Sequence, residues 1–159
     1  MKQLTPALLD SLSLQAQQSP RRRANHNLHE DLNDPIQRLA IAMEPDTYVR
    51  PHRHTHTLEM LFPLRGRFVV LHFDDSGTVI QRTVLGEDCS VLENPAGVWH
   101  AVLSLDTGGI IFEVKHGPYT PISEADYASW SRNAKGAQVA EINAWFARAR
   151  VGDKMDTAR

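Results

Sequence analysis

The sequence predicts a mainly β fold: a small antiparallel barrel or sandwich carrying a short helix near each end. Two observations predict the β part. From Ile36 to Lys115, short β-prone runs alternate with turn residues, at the roughly 8–12-residue spacing of sheets folded from hairpins. Nothing in that span has the longer helical periods of a βαβ fold. The third observation concerns the flanks, where apolar residues recur at helical spacing.

Thr5-Pro6 reads as a helix start, with Thr as cap and Pro at the first helical position. Leu8, Leu9 and Leu12 follow as a short apolar stripe, and Ser19-Pro20 ends it. Residues 21–34 are polar with little periodicity and read as an ordered loop or arm. The predicted strands are Ile36–Met43, Tyr48–His54, Glu59–Leu64, Phe68–Phe73, Thr78–Leu85, Ser90–Glu93, Val98–Leu105 and Ile110–Lys115. Turn residues separate them, among them Arg65-Gly66 and Asn94-Pro95-Ala96-Gly97. Around eight such strands suit a closed barrel whose interior holds one ligand. A Gly-Pro exit at 117–118 leads to a helical turn starting at Ser123. Val139, Ile142, Trp145 and Phe146 then mark an amphipathic helix over 137–150, docked on the barrel or on a partner. Gly152 to Arg159 read as frayed. The expected organisation is one structural domain: helix and arm over 1–35, barrel over 36–121, helical extension over 122–159.

At 159 residues the chain is long enough to bury a core without staples. A net charge of −2 leaves no general basic field for nucleic acid or anionic lipid, and Arg21-Arg22-Arg23 is too short to change that. With Cys89 alone, no internal disulfide can form, and this thiol reads as a small buried hydrophobe. The first 20 residues lack the apolar stretch of a signal peptide, and no apolar run reaches bilayer length. The expectation is a cytoplasmic protein with neither nucleic acid nor membrane as partner.

Eight histidines is a high number for this length, and His52, His54 and His56 alternate. Residues two apart on a strand face the same side, so His52 and His54 present adjacent imidazoles. Two imidazoles and a carboxylate bind divalent Fe, Mn, Zn, Ni or Co. Glu59 is the nearest acid, but five residues after His54 it has the wrong parity for one unbroken strand. A turn within Thr55–Leu58 must reset the register, or else His56 becomes the third ligand. His100 follows the Asn94–Gly97 turn and enters the same interior from across the barrel. His72 reads as structural or rim, His26 and His116 as surface.

These residues resemble the two short motifs of the cupin superfamily. The first is met by His52, His54, Glu59 after four intervening residues, and Gly66 after six more; Asp46 stands at its leading glycine position. The second is met by Pro95, Gly97 and His100, with Cys89 and Ser104 departing from its outer positions. The resemblance implies a cupin jelly-roll, a double-stranded β-barrel, and favours Glu59 over His56 as ligand. Arg21–His29, 34–38, 48–54, 73–77 and 112–119 are further similar to WbuC-type cupin metalloproteins of bacterial surface-polysaccharide gene clusters. That likeness spans roughly Ser19 to Pro121.

The expected site is therefore one divalent metal ion on His52, His54, Glu59 and His100. Glu113 and Lys115 share a face of the last strand and are the acid/base candidates. Arg23, Asn27, His29, Arg38 and Tyr119 are the substrate-binding candidates if the arm folds across the cavity. The leading functional expectation is an isomerase or epimerase using the metal as Lewis acid on a sugar or nucleotide-sugar. The alternatives are an Fe(II) dioxygenase and a non-catalytic small-ligand module. A homodimer is expected from base rates.

Overall fold

Thr5 and Pro6 start the first helix as the sequence predicts: the Thr5 hydroxyl accepts from the Leu8 N–H at 3.3 Å. The computed structural model describes residues 1–155. In chain order these form α1 (Pro6–Gln18), β1 (Arg23–Asn27), β2 (Ile36–Met43), β3 (Glu59–Arg65), β4 (Phe68–Phe73), β5 (Val79–Leu85), β6 (Leu92–Asn94), β7 (Trp99–Ser104) and β8 (Gly109–His116). A 3-10 turn (Glu124–Asp126) and α2 (Ala137–Arg148) complete the order. The strands make two antiparallel sheets, β1-β2-β8-β3-β6 and β5-β4-β7.

Alternation along each strand divides the apolar residues into three layers. Ile41 and Met43 (β2), Leu61 (β3), Phe68 and Val70 (β4), Val102 (β7) and Ile111 (β8) fill the space between the sheets. The opposite face of β2, through Ala40 and Ala42, packs with Leu12 and Ala16 of α1. The opposite face of β4 and β7, through Val69, Leu71, Phe73, Ala101 and Leu103, packs against Phe146. The apolar side of α2 thus docks on the chain's own barrel. Among the described residues, no helix is long and apolar enough to cross a membrane.

Three expectations are corrected. The polar arm contains a strand: β1 pairs with β2 from Arg23↔Met43 to Asn27↔Leu39. Its inward positions are the polar Arg23, Asn25 and Asn27, so no apolar alternation announced it. Tyr48–His54 is not a strand; only His52 makes bridges, to His100 and Tyr127. Pro51 has no N–H to give a ladder, and its carbonyl is taken by the Ala128 N–H at 3.0 Å. The end of the chain is docked rather than frayed as far as Met155, whose N–H donates to Gly77 O at 3.0 Å. Residues 156–159 lie outside the described part.

Candidate metal centre

His52 and His100 face each other as a hydrogen-bonded antiparallel pair: His52 N donates to His100 O at 3.0 Å, and His100 N to His52 O at 2.8 Å. Opposed residues project to the same side, and their ring centroids lie 4.5 Å apart. His54, two residues on, is 5.1 Å from His52 and 5.7 Å from His100. Its carbonyl accepts from Gly97 N at 2.8 Å, which ties the His52–His54 segment to the turn before β7. Gly97 makes that turn at φ +82°, a conformation costly for other residues.

The parity problem is solved by a bend at Thr55 and His56, after which β3 starts at Glu59. Buried Thr57 pins the reset: its hydroxyl accepts from His116 N at 2.9 Å and donates to Leu58 O at 2.6 Å. Glu59 therefore points back to the histidines, while His56 is exposed. Glu59 Oε1 lies 3.4 Å from His54 Nε2, and Oε2 lies 3.3 Å from His100 Nε2. Ring nitrogens of His52, His54 and His100 all lie within 4.8 Å of one another, and all three residues are buried.

The chemistry of this donor set suits a cation. His52 Nδ1 stands 2.8 Å from Arg50 O, and His100 Nδ1 stands 3.0 Å from Val98 O. A carbonyl can only accept, so both Nδ1 atoms carry a proton, which leaves the Nε2 atoms to face the site. His100 Nε2 is buried without a hydrogen-bond partner. Burial, and then the charge of His100, push the His52 imidazole down to about 3, so it stays neutral. Burial alone would raise Glu59, but His100 and His54, at 3.3 and 3.4 Å from its oxygens, hold its carboxyl well below the usual range. Three neutral-capable imidazoles and one anion, brought together from a loop and two strands, fit a divalent ion.

A relay behind Glu59 was missed by sequence reasoning. Asn94 Nδ2 donates to Glu59 Oε2 at 3.0 Å, and its Oδ1 lies 2.6 Å from His72 Nε2. His72 sits opposite His100 in the β4–β7 ladder and is buried. Asn94 precedes a proline and reads in the sequence only as turn chemistry. On the other side, Lys115 Nζ lies 3.7 Å from Glu59 Oε1 and 2.6 Å from Glu113 Oε1. Burial works against the Lys115 charge, but Glu113 and Glu59 outweigh it and raise the ammonium; burial and Glu59 raise the Glu113 carboxyl.

His52, His54, Glu59, His100, Glu113 and Lys115 open on one cavity of about 1150 Å³. Arg23, Asn27, His29 and Tyr119 all line it. His29 also pins the arm, its Nδ1 accepting from Arg38 N at 2.9 Å. Arg38 does not line the cavity; it is the alternate residue between Gln37 and Leu39, which do, and it pairs outside with Asp34 at 2.7 Å. His26 is half-buried rather than a surface residue, His116 is exposed, and Cys89 is half-buried.

Known structures share this architecture. KdgF from Halomonas sp. is similar at 12% identity and TM-score 0.50, over 64% of this chain and 84% of that one. Oxalate oxidase in complex with the substrate analogue glycolate is similar at 17% identity and TM-score 0.51, over 66% of this chain and 56% of that one. CapF with the inhibitor 3-isopropenyl-tropolone is similar at 16% identity and TM-score 0.55, over 65% of this chain but 30% of that one. At such identities the likeness concerns fold alone, and the fold is the cupin jelly-roll. No curated protein matches the sequence. A family model does match, over residues 4–85, from α1 through the histidine pair to the end of β5, and by that match the chain belongs to the family described as Domain of unknown function (DUF6016).

Proposed function

We propose that the chain is a metal-dependent cupin enzyme of WbuC type, acting on a sugar or nucleotide-sugar intermediate of surface-polysaccharide synthesis. The observation that carries the metal part is the convergence of three buried imidazoles within 4.8 Å, with Glu59 against two of them. His52, His54, His100 and Glu59 would hold one divalent ion, Fe, Mn, Zn, Ni or Co. The sugar part rests on the sequence resemblance. A cavity of about 1150 Å³ supports it, being roomy for a monosaccharide and adequate for a larger conjugate.

A bound divalent ion supplies Lewis-acid polarisation of a carbonyl or hydroxyl oxygen. The chain's own residues supply the rest. Glu113 faces the cavity with a carboxyl that burial and Glu59 raise, which makes it a stronger base than an ordinary carboxylate. In isomerase chemistry its Oε takes a proton from the carbon beside a carbonyl and returns it to the former carbonyl carbon, as the hydroxyl proton passes between the two substrate oxygens. In epimerase chemistry it takes the proton from one face and a solvent-derived proton is delivered to the other. Lys115, 2.6 Å from Glu113, keeps that carboxyl oriented and offsets its charge. Asn27 and Tyr119 offer hydrogen bonds to substrate hydroxyls, while Leu39, Ile41 and Val102 keep the cavity floor dry.

The test is incubation of metal-loaded protein with a panel of nucleotide-sugars in deuterated water. The expected result is deuterium at a substrate carbon, lost in Glu113→Gln. Substrate-dependent O2 uptake would move the assignment to a dioxygenase, and tight binding without product would move it to a ligand-binding module. Absence of both turnover and binding would overturn the reading.

A further inference from the structure

Three of the six cationic side chains that line the cavity are paired. Arg22 pairs with Asp46 at 3.0 Å, Arg50 pairs with Glu124 at 3.0 Å and lies 4.7 Å over the Tyr127 ring, and Lys115 pairs with Glu113. Arg21 and Lys135 are exposed at the rim. Arg23 differs. Its side chain lines the cavity, is partly buried, and makes no hydrogen bond or ion pair with any described residue. Taking a guanidinium out of water without a partner is unfavourable, and burial accordingly lowers its pKa. Glu113 and Glu59 act on it only through their fields.

The backbone before Arg23 is fixed in an uncommon conformation. Arg22 has φ +55°, outside glycine's usual monopoly on that region. It is held by Arg22 N donating to Ser19 O at 2.9 Å, by its guanidinium on Gln17 O, and by its pairing with Asp46. Arg23 then enters β1 facing inward, in register with Met43 and Gly109, whereas Glu59 is in register with Lys115 and Gln37. Leu39 and Ile41 lie between these two rows on β2 and line the cavity. The cavity therefore has a metal-facing end, an apolar floor, and a lone guanidinium toward the other end.

We propose that Arg23 is the anchor for an anionic group, a phosphate or carboxylate, on a ligand whose neutral part reaches His52, His54 and His100. The planar fork of arginine matches either oxyanion with two parallel hydrogen bonds. The lining as a whole agrees: it holds six Lys and Arg side chains against four Asp and Glu, in a chain of net charge −2. This deepens the proposed function by naming the charge class of its substrate, and rests on that reading only in taking the cavity as the ligand site.

The test uses metal-free protein, so it does not depend on the ion. Wild type, Arg23→Gln and His52→Ala are titrated by NMR with inorganic phosphate, malonate and glucose at constant ionic strength. Wild type binds one of the two anions at least about tenfold more tightly than Arg23→Gln does; phosphate binding marks a phosphate ester as the ligand class, malonate binding a carboxylate. Glucose binding is the same in both proteins, and His52→Ala retains the anion. Arg23→Gln melts no lower than wild type, because it removes an unpaired charge; should it unfold instead, Arg23→Lys, which keeps the charge but not the fork, takes its place. Equal anion affinity with and without Arg23, no binding of either anion, or loss of the anion in His52→Ala would overturn the proposal.

Discussion

Asn94 shows how much one amide can decide. Its Nδ2 fixes one carboxylate oxygen of Glu59, and its Oδ1 takes the His72 contact that would otherwise leave a buried ring nitrogen open. Partners of this kind orient a ligand without touching the ion, and their loss typically weakens metal binding about 10–100-fold. Asn94→Ala is accordingly expected to fold, to bind metal within that range more weakly, and to keep the same stoichiometry in a competition titration against a chelator. Unchanged affinity would mean that Glu59 is positioned by the histidines alone. Arg38 makes the opposite point. It carries the right chemistry for substrate, yet β2 alternation turns it away from the cavity that Gln37 and Leu39 line.

Helix α2 closes the outer face of the three-stranded sheet through Phe146, which is fully buried among Val69, Leu71 and Leu103. Truncating such a ring usually costs about 3–5 kcal/mol. Phe146→Ala should lower the urea midpoint by that order while metal stoichiometry in the folded fraction stays unchanged, because the histidines belong to the interior on the other side of β4 and β7. Most elements were legible in the sequence. Ile36–Met43 and Phe68–Phe73 are strands over the residues expected, and the helix cap at Thr5 formed as read. Legibility failed where polar chemistry replaced the apolar signal. β1 turns Arg23, Asn25 and Asn27 inward, so its alternation is the reverse of a core strand's, and the His52–His54 segment trades a ladder for contacts with Tyr127 and Ala128. The His52–His54 pair was legible because its spacing is local; the bend that brings Glu59 back to His54 depends on Thr57 meeting His116, a contact 59 residues apart that no spacing reveals.

The protein's response to pH follows from three titrating groups that meet in the barrel. In metal-free protein the folded His52 stays neutral down to about 3, while the unfolded side chain takes a proton below its ordinary 6.5. Stability is therefore lost as pH falls through that window. Glu59, depressed when folded, adds a further loss below its ordinary 4.5. His100 works the other way: its folded value is raised because pairing with Glu59 outweighs burial, so its contribution is complete below 6.5 and is lost as pH rises above it. Together these three groups place their stability contribution at its maximum near pH 6.5. Urea midpoints of chelator-treated protein across pH 4–9 check this, against a His52→Ala, His100→Ala double variant in which the maximum should flatten. All of it depends on one geometry, three imidazoles converging within 4.8 Å with Glu59 against two of them. Elemental analysis of purified, metal-loaded protein tests that most directly. The expected result is about one divalent ion per chain, falling to near none in His52→Ala and in His100→Ala with both variants still folded; metal content unchanged in those variants, or none in the wild type, would contradict it.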